Sequence, residues 1–199
     1  MKIAAEKLKL RKIFKAKRLE LDETKVAEES QKIVNNFIKN LLPKLLEKKP
    51  QGIFSLYISS QNEVLTSLLA EHFKKNNIKF SYPKIIHKNQ ALEFYLFEEN
   101  QKLVSSQFFP QILEPLSGKK VLPDFLILPL LAFDPHLSRL GMGGGFFDRT
   151  IQSLKNQKPE ILTIALAYEF QRLDSALPNE ITDQRLDFVV TEESIFLAS

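Results

Sequence analysis

A single three-layer α/β/α domain with a mainly parallel sheet, spanning residues 1–199, is the fold class the sequence predicts, and three observations carry it. Short apolar runs alternate with amphipathic stretches along the chain, the order expected of strands alternating with helices. Two of these runs, Phe125 to Phe133 and Ile161 to Ala167, are almost continuously apolar, as strands covered on both faces are. The segment Arg139 to Arg149 holds four of the chain's six glycines and lies between an apolar run and an amphipathic stretch, so it reads as the turn of a strand-turn-helix unit.

The first element is a basic helix. Residues 1–18 contain eight Lys or Arg and one acid, a net charge of +7 where the whole chain carries +4. On a helix, Lys7, Arg11, Lys15 and Arg18 share one stripe, while Leu10, Ile13 and Phe14 supply a narrow apolar one. Val26, Ile33, Val34, Phe37, Ile38 and Leu41 mark a second helix, expected to end near Pro43. Ile53 to Ile58 is a β-rich run, and Val64, Leu65, Leu68, Leu69 and Phe73 mark a third helix. Strands are expected at Ile78 to Tyr82, Leu92 to Phe97, Phe125 to Leu130, Ile161 to Ala167 and Phe188 to Thr191, with Glu93 to Glu99 an antiparallel excursion. Residues 98–123 read as an irregular loop. Phe147, Ile151 and Leu154 recur at helical spacing after the glycines. In open sheets the ligand crevice lies beyond the carboxyl ends of the strands. The glycine turn, Ser59 to Glu63 and Tyr168 to Gln171 are the segments expected there.

A strand feeding a glycine-rich turn and then a helix start presents free backbone N–H groups and the positive end of the helix dipole, which suits phosphate. Neither standard nucleotide fingerprint is met. The turn lacks the Lys-Ser/Thr ending of a P-loop, and Phe146 stands where a dinucleotide fingerprint has its last glycine. With no cysteine, disulfides, thiolate metal sites and cysteine nucleophiles are excluded. The longest apolar run has nine residues, from Phe125 to Phe133, short of the roughly 20 that cross a bilayer. Lys7, Lys9 and Arg11 interrupt any apolar core of a secretory leader, so a cytoplasmic protein is expected. His72, His87 and His136 receive no role, and Lys84 reads as solvated.

The string Arg139-Leu-Gly-Met-Gly-Gly-Gly-Phe-Phe-Asp148 resembles the signature of the 5-formyltetrahydrofolate cyclo-ligase family, Arg-Leu-Gly-x-Gly-x-Gly-Tyr-Tyr-Asp, with Phe146 and Phe147 in place of the tyrosines. Further pieces follow in the family's order. Lys7 to Arg11 is similar to an N-terminal Lys-x-x-x-Arg element, and Tyr57-Ile58 through Glu63 and Thr66 to a strand and turn bordering the folate. Glu114-Pro115 and the segment Leu177 to Glu192 also match. Two departures are Thr182, where bacterial members often have His, and Leu137, where many have Gly.

The resemblance implies an ATP- and Mg²⁺-dependent cyclisation of 5-formyltetrahydrofolate to 5,10-methenyltetrahydrofolate with release of ADP and phosphate. It carries over catalytic roles for Lys7, Arg11 and Arg139. ATP contacts are expected from Lys7, Leu8, Lys9, Leu10 and Arg11, and from Arg139, Leu140, Gly141, Met142, Gly143, Gly144, Gly145, Phe146 and Phe147. Folate contacts are expected from Arg11, Ile58, Glu63, Met142, Gly143, Gly144, Gly145 and Phe146, and metal ligation from Asp148 and Asp187. The expected partner is 5-formyltetrahydrofolate, including polyglutamylated forms, bound by a monomer without specific nucleic-acid or membrane partners. Two other classes stay open on sequence: a non-catalytic nucleotide- or folate-binding protein of this fold, and a nucleic-acid-binding protein that uses the basic helix.

Overall fold

The computed structural model describes residues 2–198. In chain order the elements are α1 (Lys2–Leu19), α2 (Glu23–Asn36), a π-helical turn (Phe37–Leu41), α3 (Leu42–Lys48), β1 (Phe54–Ser55), α4 (Ser67–Lys75), β2 (Phe80–Lys84), β3 (Glu93–Leu96), β4 (Leu103–Ser105), β5 (Leu113–Pro115), β6 (Lys120–Val121), β7 (Phe125–Leu128), β8 (Ala132–Phe133), β9 (Arg139–Leu140), α5 (Phe146–Gln157), β10 (Leu162–Leu166), a 3₁₀ turn (Glu169–Gln171), β11 (Phe188–Val190) and β12 (Ile195–Leu197). The main sheet runs β12-β11-β10-β7-β1-β2-β3-β6. Its five central strands are parallel, and β12, β3 and β6 are antiparallel at the edges.

The strand alternation makes the layers. Phe125, Ile127, Ile164 and Leu166 face one side, where they join Ile33, Val34, Phe37, Leu42 and Leu45 of the α2–α3 arm and Leu69 and Phe73 of α4. Leu126, Leu128, Ala165 and Val189 face the other, against Ile151 and Leu154 of α5. Helix α1 belongs to neither layer. Its Phe14 packs with Leu131, Ala132, Leu140 and Leu177, which lays α1 across the carboxyl-terminal edge of the sheet. Among the described residues no helix is long and apolar enough to cross a membrane.

Several boundaries differ from the sequence expectation. The second helix does not stop at Pro43. It widens into the π-turn, where Leu42 N–H bonds to Phe37 O five residues back, and Pro43 then sits in the first turn of α3. That position suits a ring with no N–H, which would clash in a regular helix interior. Residues 98–123 are not irregular throughout: β4 and β5 form a hairpin and β6 extends the sheet. These strands are two or three residues long, too short to leave a periodic signal. The β8–β9 hairpin and β12 were also illegible for that reason.

Candidate active site

A cleft of about 630 Å³ opens beyond the carboxyl ends of β1 and β7, which are parallel neighbours. Its walls come from α1, the turn Tyr57 to Glu63, the tip of the β4–β5 hairpin, the residues after β7, the glycine turn with the start of α5, and residues 180–183. Thus Lys7, Arg11, Ile58, Glu63, Arg139, Leu140, Gly141 to Gly145, Phe146, Phe147 and Asp148, drawn from distant parts of the chain, line one cavity.

The glycine turn is built as a cradle. Hairpin β8–β9 delivers Arg139 to its start through a turn in which Leu137 holds a left-handed φ of 55°. A leucine there adopts the conformation that glycine tolerates best, and its buried side chain in the α5-side core compensates. Gly143 at φ 99° and Gly145 at φ 66° give the turn its path, and Gly145 precedes α5 with no side-chain cap. The first-turn amides of α5 are therefore free to meet an anion. Gly144, between Gly143 and Gly145, has no positive φ. A Cβ at Gly144 would meet the Phe146 ring at 3.0 Å.

Cations and carboxylates alternate around this cradle. Arg11 Nε donates to Gly141 O at 2.9 Å, tying α1 to the loop. Arg139 is 9% exposed and its Nη2 donates to Asp148 Oδ1 at 2.7 Å, while its Nε has no partner. Burial pulls the Arg139 guanidinium below its ordinary value, and Asp148 and Asp183 counter that. Lys7, 5% exposed, donates to Glu180 Oε2 at 2.8 Å and to Asp183 Oδ2 at 2.5 Å. Burial works to lower the ammonium, but the hydrogen bonds and charges of Asp183 and Glu180 outweigh it, leaving Lys7 raised. Phe146 and Phe147 lie beneath Arg149 and Arg139 respectively, 5.1 and 5.9 Å from ring centroid to guanidinium carbon, contacts that need no hydroxyl.

The other end of the cleft is drier. Glu63 accepts from Ser60 N at 3.0 Å and lies 3.6 Å from Arg18 Nη1. Burial raises its carboxyl above the ordinary range, with Arg18 and Ser60 opposing. Phe109 from the hairpin tip meets Phe146 edge to face at 5.8 Å, narrowing the cleft between its two ends.

Four expected site residues lie elsewhere. Leu8 and Lys9 project to solvent from α1, and Leu10 packs under it, because only one helical face meets the cleft. Asp187 sits where β11 begins, at the opposite edge of the sheet. Its Oδ2 accepts from Thr163 N at 2.8 Å and Thr163 Oγ1 at 2.7 Å, locking β11 to β10, so its metal role is corrected to a structural one. Asp183 lines the cleft with Asp148, as do Glu63, Glu114 and Glu180. The segment Tyr168 to Gln171 supports the cleft without lining it, since Gln171 Nε2 donates to Leu130 O and Leu131 O. Sequence reasoning assigned no site role to Arg18, Glu180, Asp183 or Phe109. Arg18 was visible on the stripe of Lys7 and Arg11, seven residues on from Arg11, whereas Phe109 falls in a segment with no periodic signal.

Fold and site together define an open α/β protein with a glycine-rich turn lining a cleft at the carboxyl edge of its sheet. A profile of the 5-formyltetrahydrofolate cyclo-ligase family matches residues 3–192, and the chain belongs to that family of enzymes. It is 35% identical over 146 residues to the 5-formyltetrahydrofolate cyclo-ligase of Haemophilus influenzae, covering 70% of this chain and 75% of that one. To the enzyme of the same name from Mycoplasma pneumoniae it is 28% identical over 189 residues, 94% of this chain and 99% of the relative. Among solved structures it is similar to the 5,10-methenyltetrahydrofolate synthetase of Aquifex aeolicus, with a TM-score of 0.79 at 29% identity over 96% of this chain and 92% of that one.

Proposed function

We propose that the protein closes the ring of 5-formyltetrahydrofolate at the expense of ATP, giving 5,10-methenyltetrahydrofolate, ADP and phosphate. One observation carries the reading: a single cleft joins an anion cradle at one end to a buried carboxylate, Glu63, at the other, the layout that two dissimilar substrates require. The basic stripe of α1 turns into that cleft, which favours a bound small anion over an external nucleic acid.

The formyl group on N5 is a poor electrophile because the nitrogen lone pair is delocalised onto oxygen. In the proposed sequence the formyl oxygen attacks the γ-phosphorus and ADP leaves. N10 then adds to the activated carbon, the carbon–oxygen bond breaks, phosphate departs and N10 loses its proton. No protein nucleophile is needed, so the chain contributes positioning and charge. The glycine-turn and α5 amides hold phosphate oxygens, with Lys7, Arg11 and Arg139 balancing their charge. Ionised Glu63 accepts N–H groups of the pterin, and Ile58 and Phe146 pack against the ligand rings.

Asp148 and Asp183 fit a magnesium ion, since both offer oxygen to the cradle and magnesium takes one or two protein carboxylates together with phosphate and water. Among the described residues no three His, Asp or Glu side chains converge as a ready cage. Bound magnesium would neutralise charge on the β- and γ-phosphates. Asp183 is ion-paired to Lys7 and Asp148 to Arg139, so phosphate oxygens that took over those cations would free the carboxylates. A monomeric cytoplasmic enzyme that also accepts polyglutamylated folate is the form in which we expect this activity. The test mixes protein, MgATP and 5-formyltetrahydrofolate and follows methenyl absorbance together with ADP release. Ligand binding without either signal would leave a non-catalytic binding protein.

A further inference from the structure

Arg18 is the most deeply buried cation among the described residues, 1% exposed, and it stands beside the cleft rather than in a structural ion pair of good geometry. Its Nη1 donates to Leu130 O at 3.3 Å and lies 3.6 Å from Glu63 Oε1, while Nε and Nη2 are buried with no partner. A guanidinium kept dry with two unsatisfied nitrogens is a poor way to fill a core, since an apolar side chain of similar volume would pack there without the desolvation cost.

The surrounding backbone fixes Arg18 and Glu63 relative to one another. Gln61 and Asn62 occupy successive left-handed conformations, at φ 50° and 59°, immediately before Glu63. The Asn62 side chain donates to Arg18 O at 3.2 Å and to Leu21 O at 2.7 Å, stapling the Glu63 turn to the end of α1. Two strained residues and a staple between distant segments over-determine one spacing. The other groups that face Glu63 are Ser60, which donates to it, and the phenols of Tyr57 and Tyr168. Those phenols donate elsewhere, to Val64 O and Asn62 O. Among the described residues Arg18 is the cation that faces this carboxyl.

We infer that Arg18 is a positioning residue that keeps Glu63 ionised and aimed into the cleft, so that Glu63 can accept from two N–H groups on one edge of the substrate ring. The Arg18–Glu63 coupling stands on the geometry alone; the identity of the ring rests on the functional reading above. A protonated carboxyl would keep fewer acceptor sites and present its own O–H, so the charge state sets which ring edges bind. Burial already pushes the Glu63 carboxyl up, so removing Arg18 moves it further in the same direction.

The experiment compares wild type with Arg18→Met, Arg18→Gln and Arg18→Lys. Arg18→Gln keeps a donor for Leu130 O without the charge. Carbon-13 carboxyl NMR of glutamate-labelled protein reads Glu63 without ligand, assigned through Glu63→Gln. Its titration should move to higher pH in the Met and Gln variants and stay near wild type in the Lys variant. In turnover the KM for 5-formyltetrahydrofolate should rise about tenfold per unit of that shift at pH values below the new midpoint, and recover as pH rises. The KM for ATP should change less than about twofold, as the cradle cations are untouched. An unmoved Glu63 titration in the uncharged variants, or both KM values rising without a change of pH profile, overturns the inference. Absence of turnover in wild type would instead overturn the functional reading, and the NMR comparison would still decide the pairing.

Discussion

Removing charge from two faces of α1 separates contact from field. Lys7 and Arg11 face the cleft, while Lys9 and Lys12 are exposed on the other side of the helix. The double variants Lys7→Ala/Arg11→Ala and Lys9→Ala/Lys12→Ala each lose two positive charges. In the first, two charge-assisted contacts to phosphate disappear at about 1.5–3 kcal/mol each, so kcat/KM should fall roughly 10²- to 10⁴-fold if both form in the transition state. Lys7 also serves Glu180 and Asp183, whose side chains are 49% and 19% exposed. Solvent screens those pairs in part, so the stability loss should be about 1 kcal/mol, a fall of a few degrees in Tm. In the second variant each lost charge acts only through water and salt, over a screening length of about 8 Å, and the change should stay within about twofold. Initial rates at 25 °C with MgATP varied, near-UV circular dichroism and a melting curve make the comparison complete. Equal losses in the two variants would refute the positioned contacts and leave long-range electrostatics as the explanation.

Three further outcomes are expected. Gly145→Ala should weaken MgADP binding by calorimetry more than Gly144→Ala, because Gly145 holds φ 66° and a Cβ there meets Arg149 Nη1 at 2.5 Å, whereas Gly144 has ordinary φ and touches only the edge of Phe146. Asp183→Ala should raise the magnesium concentration for half-maximal rate. Asp187→Ala should leave it unchanged and cost about 1–3 kcal/mol in denaturant unfolding by stripping the partner of Thr163 N. At Asp124, burial works to raise the carboxyl, but Lys158, Lys49 and the Ile53 N–H outweigh it and hold it below the ordinary range. A depressed carboxylate stabilises above its unfolded value near 3.9 and loses that contribution as pH falls through its lower folded value. Asp124→Asn should therefore lower Tm at pH 7, and the gap from wild type should narrow below about pH 4.

The central parallel strands and the glycine turn were legible in the sequence because each imposes a local demand. Phe125 to Leu128, and Leu162 to Leu166 apart from Thr163, must be apolar on both faces, and Gly143 and Gly145 must tolerate positive φ. Lys7, Arg11, Arg139 and Asp148 were legible through the pattern of the family. Asp187 was misread because Asp183 and Asp187 stand four apart in one irregular segment, and nothing local says which faces the cleft and which caps a strand start. Arg18 was the converse case. Its stripe was visible, but the need for a buried cation arises only once Glu63 arrives from 45 residues further along the chain. The hairpin bearing Phe109 is held by pairings too short to print a period.

The placement of α1 across the sheet edge has a consequence for how the molecule comes into being. Helix α1 precedes in the chain every segment that receives it: the surface for Phe14 is made of Leu131, Ala132, Leu140 and Leu177, and the acids for Lys7 are Glu180 and Asp183. The helix must therefore wait, basic and undocked, while most of the chain is synthesised. The β1–β2–β7 region can gather behind it first, and at synthesis rates of about 5–20 residues per second that delay lasts roughly ten seconds or more. Docking of α1 is thus a closing step of biogenesis that brings three cations to the cleft at once. A chain halted between residues 167 and 180 would carry the glycine turn and β1 to β10, but not β11, β12 or the acids that seat Lys7.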